Sequence, residues 1–118
     1  MAGFEDLSVW RTARGLCGEI YQISDAGPFR RDWALKDQIR RAIVSVPSNI
    51  AEGHQRKYRK DFGRFLTIAL GSLGEVRTQL YLAVDRGYLP QVDADRLQGE
   101  LRGLAAGIEA LRTAVLRQ

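Results

Sequence analysis

Apolar residues recur along this chain at intervals of three and four and never in sustained alternation, so the expected elements are helices and not strands. From about Glu5 to Ser24, Trp10, Ala13, Cys17 and Ile20 fall on one face. "SDAGPF" interrupts the rhythm, with Gly27 and Pro28 as breakers. A second stretch opens at Asp32, a residue suited to an N-cap, and carries Leu35, Ile39, Ala42, Ile43, Val46 and Ile50. The third, from about Lys60 to Arg86, carries Phe62, Phe65, Leu66, Ala69, Leu73, Val76, Leu80 and Ala83. It ends at "RGYLP", where Gly87 suits a left-handed cap and Pro90 blocks continuation. The fourth, about Gln91 to Leu116, repeats Leu97, Leu101, Leu104, Ile108, Leu111 and Val115 as a bundle seam. The expected architecture is all-α: one domain over residues 1–118, with helices near 5–24, 32–54, 60–86 and 91–116 in an antiparallel up-down four-helix bundle.

"VPSNIAEGHQRKYRK", residues 46–60, tests that picture. Pro47 has no amide to offer the carbonyl of Ile43, and its ring presses on that turn, at a cost of about 3 kcal/mol in a regular helix. The apolar rhythm nevertheless stays in phase from Val46 to Ile50, which predicts a helix that bends at Pro47 and continues. Gly53 is then the expected C-cap and "HQRKY" the connection.

Beside the apolar stripe of the second helix, Gln38, Arg41, Ser45, Asn49 and Glu52 form a polar strip, and Ser72, Glu75 and Gln79 flank the core side of the third. Such strips hydrogen-bond across a helix pair and fix its register. The sharper alternative is a carboxylate pair, Glu52 and Glu75, for acid–base or metal chemistry. Di-metal bundles use Glu-x-x-His motifs, and the single histidine, His54, lies two residues after Glu52, so that spacing is absent. No metal or cofactor is expected. His54 reads as a solvent-facing turn residue and Cys17 as a small inert core residue. There is no GxxxxGK[ST] loop and no GxGxxG after a strand, so catalysis finds no support.

Composition changes the picture in one respect. Net charge is +4, with 18 basic residues of which fifteen are arginine, a bias that a GC-rich genome also produces. The charge is local: Arg30 to Arg64 holds ten basic and four acidic residues, while the remainder is net negative. Arg40, Arg41, Arg56, Lys57, Arg59, Lys60 and Arg64 are the candidate phosphate contacts, with Tyr58 as a stacking residue. No helix-turn-helix, zinc finger or RNP signature accompanies them, so sequence-tolerant RNA or DNA binding is the expectation. The lone cysteine, the absence of an apolar run long enough to span a bilayer and a start, "MAGFEDLSVW", unlike a signal peptide give a soluble cytoplasmic expectation.

Glycines add a second interface. Gly63, Thr67, Gly71, Gly74 and Thr78 occupy one side of the third helix, and Gly99, Gly103, Ala106 and Ala110 one side of the fourth. Each mid-helix glycine costs about 1 kcal/mol relative to alanine, a cost that close approach of another helix offsets. Leu70, Tyr81, Ile68 and Leu82 outside the third helix's seam, and Val44 on the second, point to self-association.

"LKDQIRRAIVSVPSNIAEG", then Arg56, "FGRFLTIALGSLGEVRTQLYLA" and "GYL" together resemble the four-helix bundle family named for proteins encoded in 23S ribosomal RNA intervening sequences. The accessory variability proteins of diversity-generating retroelements are similar. The resemblance implies a ring-shaped homopentamer. From the retroelement relatives it also implies nucleic-acid binding through basic surfaces and association with a reverse transcriptase. It makes Gln38, Arg41, Ser45, Asn49, Glu52, Ser72 and Glu75 recurrent polar positions. The chain departs from the pattern at Pro28-Phe29, which is inverted, and at Tyr58, where a small polar residue is common. The resulting expectation is a non-enzymatic homopentamer that binds nucleic acid weakly. The alternative is an oligomeric adaptor for a protein partner.

Overall fold

Each of the four periodic stretches folds as a helix in the computed structural model, which describes residues 3–117. They are α1 (Ser8–Ser24), α2 (Trp33–His54), α3 (Arg59–Asp85) and α4 (Gln91–Arg117), and no strand occurs among the described residues. The outermost residues of the expected domain, 1, 2 and 118, lie outside the description. Cross-helix contacts set the directions. Cys17 meets Ile43 and Tyr21 meets Arg40; Ser45 meets Ser72 and Gly53 meets Phe65; Arg77 meets Gln98 and Gly63 meets Leu116. Consecutive helices are therefore antiparallel, and Arg96 to Glu19 closes α4 onto α1 in the same sense. The result is an up-down four-helix bundle 46 Å long, with α2 and α3 the most intimately packed pair.

The core follows the seams with local shifts of phase. Ile39, Ile43, Val46, Ile50, Leu66, Leu73, Leu80, Leu97, Leu101 and Ile108 are fully buried or nearly so. On α1 the centre of the buried face is Val9, Ala13, Leu16 and Ile20, so Trp10 and Cys17 sit on its flank, only partly covered. Residues before Ser8 form a separate 3₁₀ turn, Phe4–Asp6, and not the first turn of α1. Phe65, expected in the core of α3, is a partly exposed surface residue; Phe62 and Leu70 pack against the core edge.

The ends are built by identifiable devices. Asp32 caps α2, its Oδ1 accepting the Leu35 amide at 3.1 Å, and the Tyr88 hydroxyl donates to its Oδ2 at 2.7 Å. These two hydrogen bonds hold the Asp32 carboxyl below its ordinary pKa. Between α1 and α2, Gly27–Arg31 is a 3₁₀ turn with Gly27 at φ 55°, and it drops the fully buried Phe29 onto the core, stacked on Tyr88 at 5.1 Å. After α3, the Tyr88 amide bonds Ala83 O and the Gly87 amide bonds Val84 O, both at 2.9 Å, with Gly87 at φ 74°. That is a Schellman termination, which the "RGYLP" signal predicts.

α2 runs unbroken through Pro47. The carbonyl of Ile43, which residue 47 cannot serve, accepts instead from Cys17 Sγ at 3.4 Å. A thiol from the neighbouring helix thus takes the place of the missing amide. Burial raises the Cys17 thiol from 9.0 to about 11, so it stays protonated and unreactive at neutral pH. Gly53 does not cap α2. It lies within the last turn, and a Cβ there would stand 2.7 Å from Phe65 Cβ and 2.9 Å from Phe62 Cδ1. Glycine is required because α3 begins against this turn. No helix among the described residues is long and apolar enough to cross a membrane.

Candidate nucleic-acid interface

The α2–α3 connection, Gln55–Tyr58, and the first two turns of α3 place Arg56, Lys57, Arg59, Lys60 and Arg64 at one end of the bundle, all exposed. Helix periodicity explains why they cannot be drawn inward: the inward positions here are taken by Gly53, Gly63 and Leu66. Arg56 donates to Glu52 at 2.8 Å, one turn back on α2. Lys57, Arg59, Lys60 and Arg64 make no ion pair among the described residues. The Arg56 and Arg64 guanidiniums both lie over the Phe65 ring, 4.9 and 4.7 Å from its centre, contacts that draw the two cations together. Tyr58 is 63% exposed with Lys57 beside its ring at 5.6 Å, leaving a face open to stacking. The C-terminus of α4 adds Arg117 to the same end, since its neighbour Leu116 packs against Gly63. Nothing in the local sequence marked that contribution; it follows from the closure of the bundle.

Two of the expected contacts lie elsewhere. Arg40 and Arg41 are fifteen or sixteen residues up α2 from Arg56, about 22 Å at 1.5 Å per residue. Arg40 is tied down: Nε donates to Ser24 Oγ at 2.8 Å, Nη2 donates to Tyr21 O at 3.1 Å, and the guanidinium covers the Tyr21 ring at 4.3 Å. It neutralises the carbonyl end of α1, a structural task, with side-chain exposure of only 22%. Arg41 is exposed and paired with Asp37 at 2.8 Å. The seven cations therefore form one end cluster of five and a separate pair.

The polar strips of α2 and α3 do face each other, but among the described residues only one bond crosses between them. Ser45 Oγ and Ser72 Oγ share a hydrogen at 2.8 Å. Asn49 Nδ2 donates back to Ser45 O and Oγ on its own helix, at 2.8 and 2.9 Å. Gln38, Glu75 and Gln79 make no hydrogen bond among the described residues, and with Arg41, Ala42 and Ser45 they line a groove of about 340 Å³. Glu52 is not in that groove. With Gly53 opposite Phe65, Glu52 stands about ten residues of α3 from Glu75, about 15 Å along the axis. The two carboxylates cannot act on one substrate atom or one ion. No group of three or more His, Cys, Asp or Glu side chains among the described residues could hold a metal ion. His54 closes α2 with its ring edge-on to Phe62 at 5.7 Å, half-buried and not the free turn residue expected.

Cross-helix ties that the sequence did not mark occur on α4. Arg77 Nε donates to Gln98 Oε1 and Gln98 Nε2 donates to Arg77 O, both at 2.9 Å, a reciprocal pair that locks α3 to α4. Arg96 bonds Glu19 at 2.8 Å, which raises its pKa further. Of the mid-helix glycines, Gly63 meets Leu116 and Gly107 meets Val9, whereas added Cβ atoms at Gly71, Gly74, Gly99 and Gly103 would meet nothing within 4 Å. Contact inside the chain accounts for the first two only.

A four-helix up-down bundle with a cationic end, whose α2 passes through the proline of an SxPSNIAEG stretch, defines the class of protein. The chain belongs to the 23S rRNA-intervening sequence protein family, whose model matches residues 5–110. Comparison with curated proteins gave no match.

Proposed function

We propose that this chain is a non-enzymatic, self-associating bundle that binds RNA or DNA through the cationic end, without reading sequence. The observation that carries this reading is the cluster of Lys57, Arg59, Lys60 and Arg64, exposed at one end, without carboxylate partners among the described residues and flanked by the exposed Tyr58. Other cations also lack ion pairs among the described residues, Arg30, Arg31 and Arg102 among them; the end cluster differs in gathering four such charges within eight residues beside an exposed aromatic ring. Charges gathered in this way fit phosphates, whose neutralisation releases counterions. Self-association is supported by the open sides of Gly71, Gly74, Gly99 and Gly103 and by exposed Ile68, Tyr81 and Leu82 on α3. The family resemblance favours a homopentameric ring, which would repeat the cationic end around an axis and multiply weak contacts.

Filter binding of labelled RNA and DNA across a salt series tests the reading. Four phosphate contacts per engaged end give a slope of log affinity against log salt of about −4 on duplex and about −3 on single strands. Reversing Arg56, Lys57, Arg59 and Lys60 to glutamate abolishes binding while leaving the fold intact, because all four are exposed. Affinity that ignores salt, or survives the reversal, refutes it and leaves the protein-adaptor reading. Light scattering tests the ring: a monomer mass of 13.2 kDa at micromolar concentration refutes self-association.

A further inference from the structure

We propose that the cleft between α1 and α2 beside Pro47 is a binding site for a small aromatic carboxylate. On the α1 side it is walled by Phe4 and Trp10, whose rings meet edge to face at 5.1 Å, and on the α2 side by Pro47 and Ala51. The α1 wall is braced from outside, since the Arg11 guanidinium donates to Glu5 O at 3.0 Å and ties the Phe4–Asp6 turn to the helix. None of the four wall residues is fully buried, so the cleft opens to solvent, with a volume of about 320 Å³ that suits one or two fused rings. A proline within a helix costs stability, and α2 carries that cost where the ring gives the cleft a rigid, flat side; such costs gather at functional sites. The stretch from Val46 to Gly53 thereby has a task that the cationic end does not use.

The lining selects the ligand. Arg14 is its one charged side chain, exposed, 5.8 Å from the centre of the Trp10 ring and without an ion pair among the described residues. A guanidinium at the lip of an aromatic cleft takes a carboxylate through two parallel N–H donors. The remaining polar groups are the exposed Ser48 hydroxyl at the rim and the Cys17 thiol, which already donates to Ile43 O. The walls themselves are hydrocarbon. They suit an apolar ring and disfavour a nucleobase, whose edge donors and acceptors would go unmet. The proposal rests neither on nucleic-acid binding nor on self-association.

The test titrates the full chain with naphthoate and follows the two indole N–H resonances by NMR. Trp33 is the internal control, being 74% exposed and fourteen residues along α2 from Pro47, about 21 Å away. Naphthylmethylamine presents the same rings with the opposite charge. Arg14→Gln removes the cation and keeps the fold, because Arg14 is exposed; Ala51→Leu fills the cleft. The Trp10 resonance is expected to move saturably with naphthoate while Trp33 stays still, and the amine to bind several-fold more weakly. Arg14→Gln should weaken naphthoate by about tenfold or more, as loss of a charge-assisted pair requires, and Ala51→Leu should block it. Movement of both indoles together would be general adsorption to a cationic protein and overturns the proposal, as does naphthoate affinity unchanged in Arg14→Gln. Absence of a saturable Trp10 response also overturns it, and a molar mass that falls in Ala51→Leu then assigns the cleft to a second copy of the chain.

Discussion

Replacing Pro47 by alanine gives α2 back the amide that it lacks, and the consequence can be worked from the contacts around it. A proline inside a helix costs about 3 kcal/mol through the missing hydrogen bond and the ring's pressure on the preceding turn. Against its removal stand about 0.4–1 kcal/mol for the freer unfolded chain and the lost packing of a half-buried ring beside Trp10 and Cys17. Pro47→Ala is therefore expected to stabilise by about 1–2 kcal/mol. The sharper expectation concerns Cys17. In the wild type its thiol serves the Ile43 carbonyl at 3.4 Å, so Cys17→Ala removes that bond as well as sulfur packing. In the Pro47→Ala background the new amide already serves the same carbonyl, and only packing is lost. The two changes should be non-additive by about 0.5–1 kcal/mol, the size of one modest hydrogen bond. Urea unfolding of the four proteins at one fixed protein concentration measures this, read from midpoints at constant slope. Effects that add within about 0.3 kcal/mol would show that the thiol is not the substitute donor, and a destabilised Pro47→Ala would refute the cost assigned to the proline.

Other expectations follow from single contacts. Gly53→Ala should destabilise by about 1–3 kcal/mol, since its Cβ would collide with Phe65 Cβ and with Phe62, whereas Gly71→Ala, with open space around it, should stabilise the isolated subunit by about 1 kcal/mol. If Gly71 lies in a subunit interface, the same alanine lowers the molar mass in light scattering, and that split separates the two explanations of the glycine stripe. Asp32→Ala should lower the melting temperature at pH 7, through loss of the Leu35 cap and the Tyr88 hydroxyl bond. Because the folded carboxyl titrates below the ordinary 3.8, its contribution is present above that pH and disappears as pH falls through the lower folded value. The gap between variant and wild type should close in that acid range, as thermal melts from pH 7 to pH 2 would reveal.

Much of the arrangement was written in local spacing. Three- and four-residue repeats specify helices whatever surrounds them, so α2, α3 and α4 begin and end within about two residues of expectation, and continuity through Pro47 was legible from the unbroken phase of Val46 and Ile50. Asp32 and Gly87 likewise act through neighbours a few residues away. The candidate site was less legible. Arg40 and Arg56 look alike as basic residues beside a stripe, yet one is bound to the end of α1 and the other stands in the cationic end. Phe65 has core spacing but serves as a partly exposed ring that two arginines contact. Glu52 and Glu75 lie on facing polar strips on paper and are separated by antiparallel register in space.

The amino-acid sequence by itself determined that this chain forms four amphipathic rods and about where they stop, because those properties depend on residues within one or two turns. Tertiary structure alone decided the phase of α1, the partner of each polar side chain, the need for glycine at Gly53 and the exposure of glycines such as Gly71. Those outcomes depend on which residues of distant segments come to lie opposite one another. That is fixed only when the helices pack, since a shift of one turn between neighbours exchanges every partner across the interface.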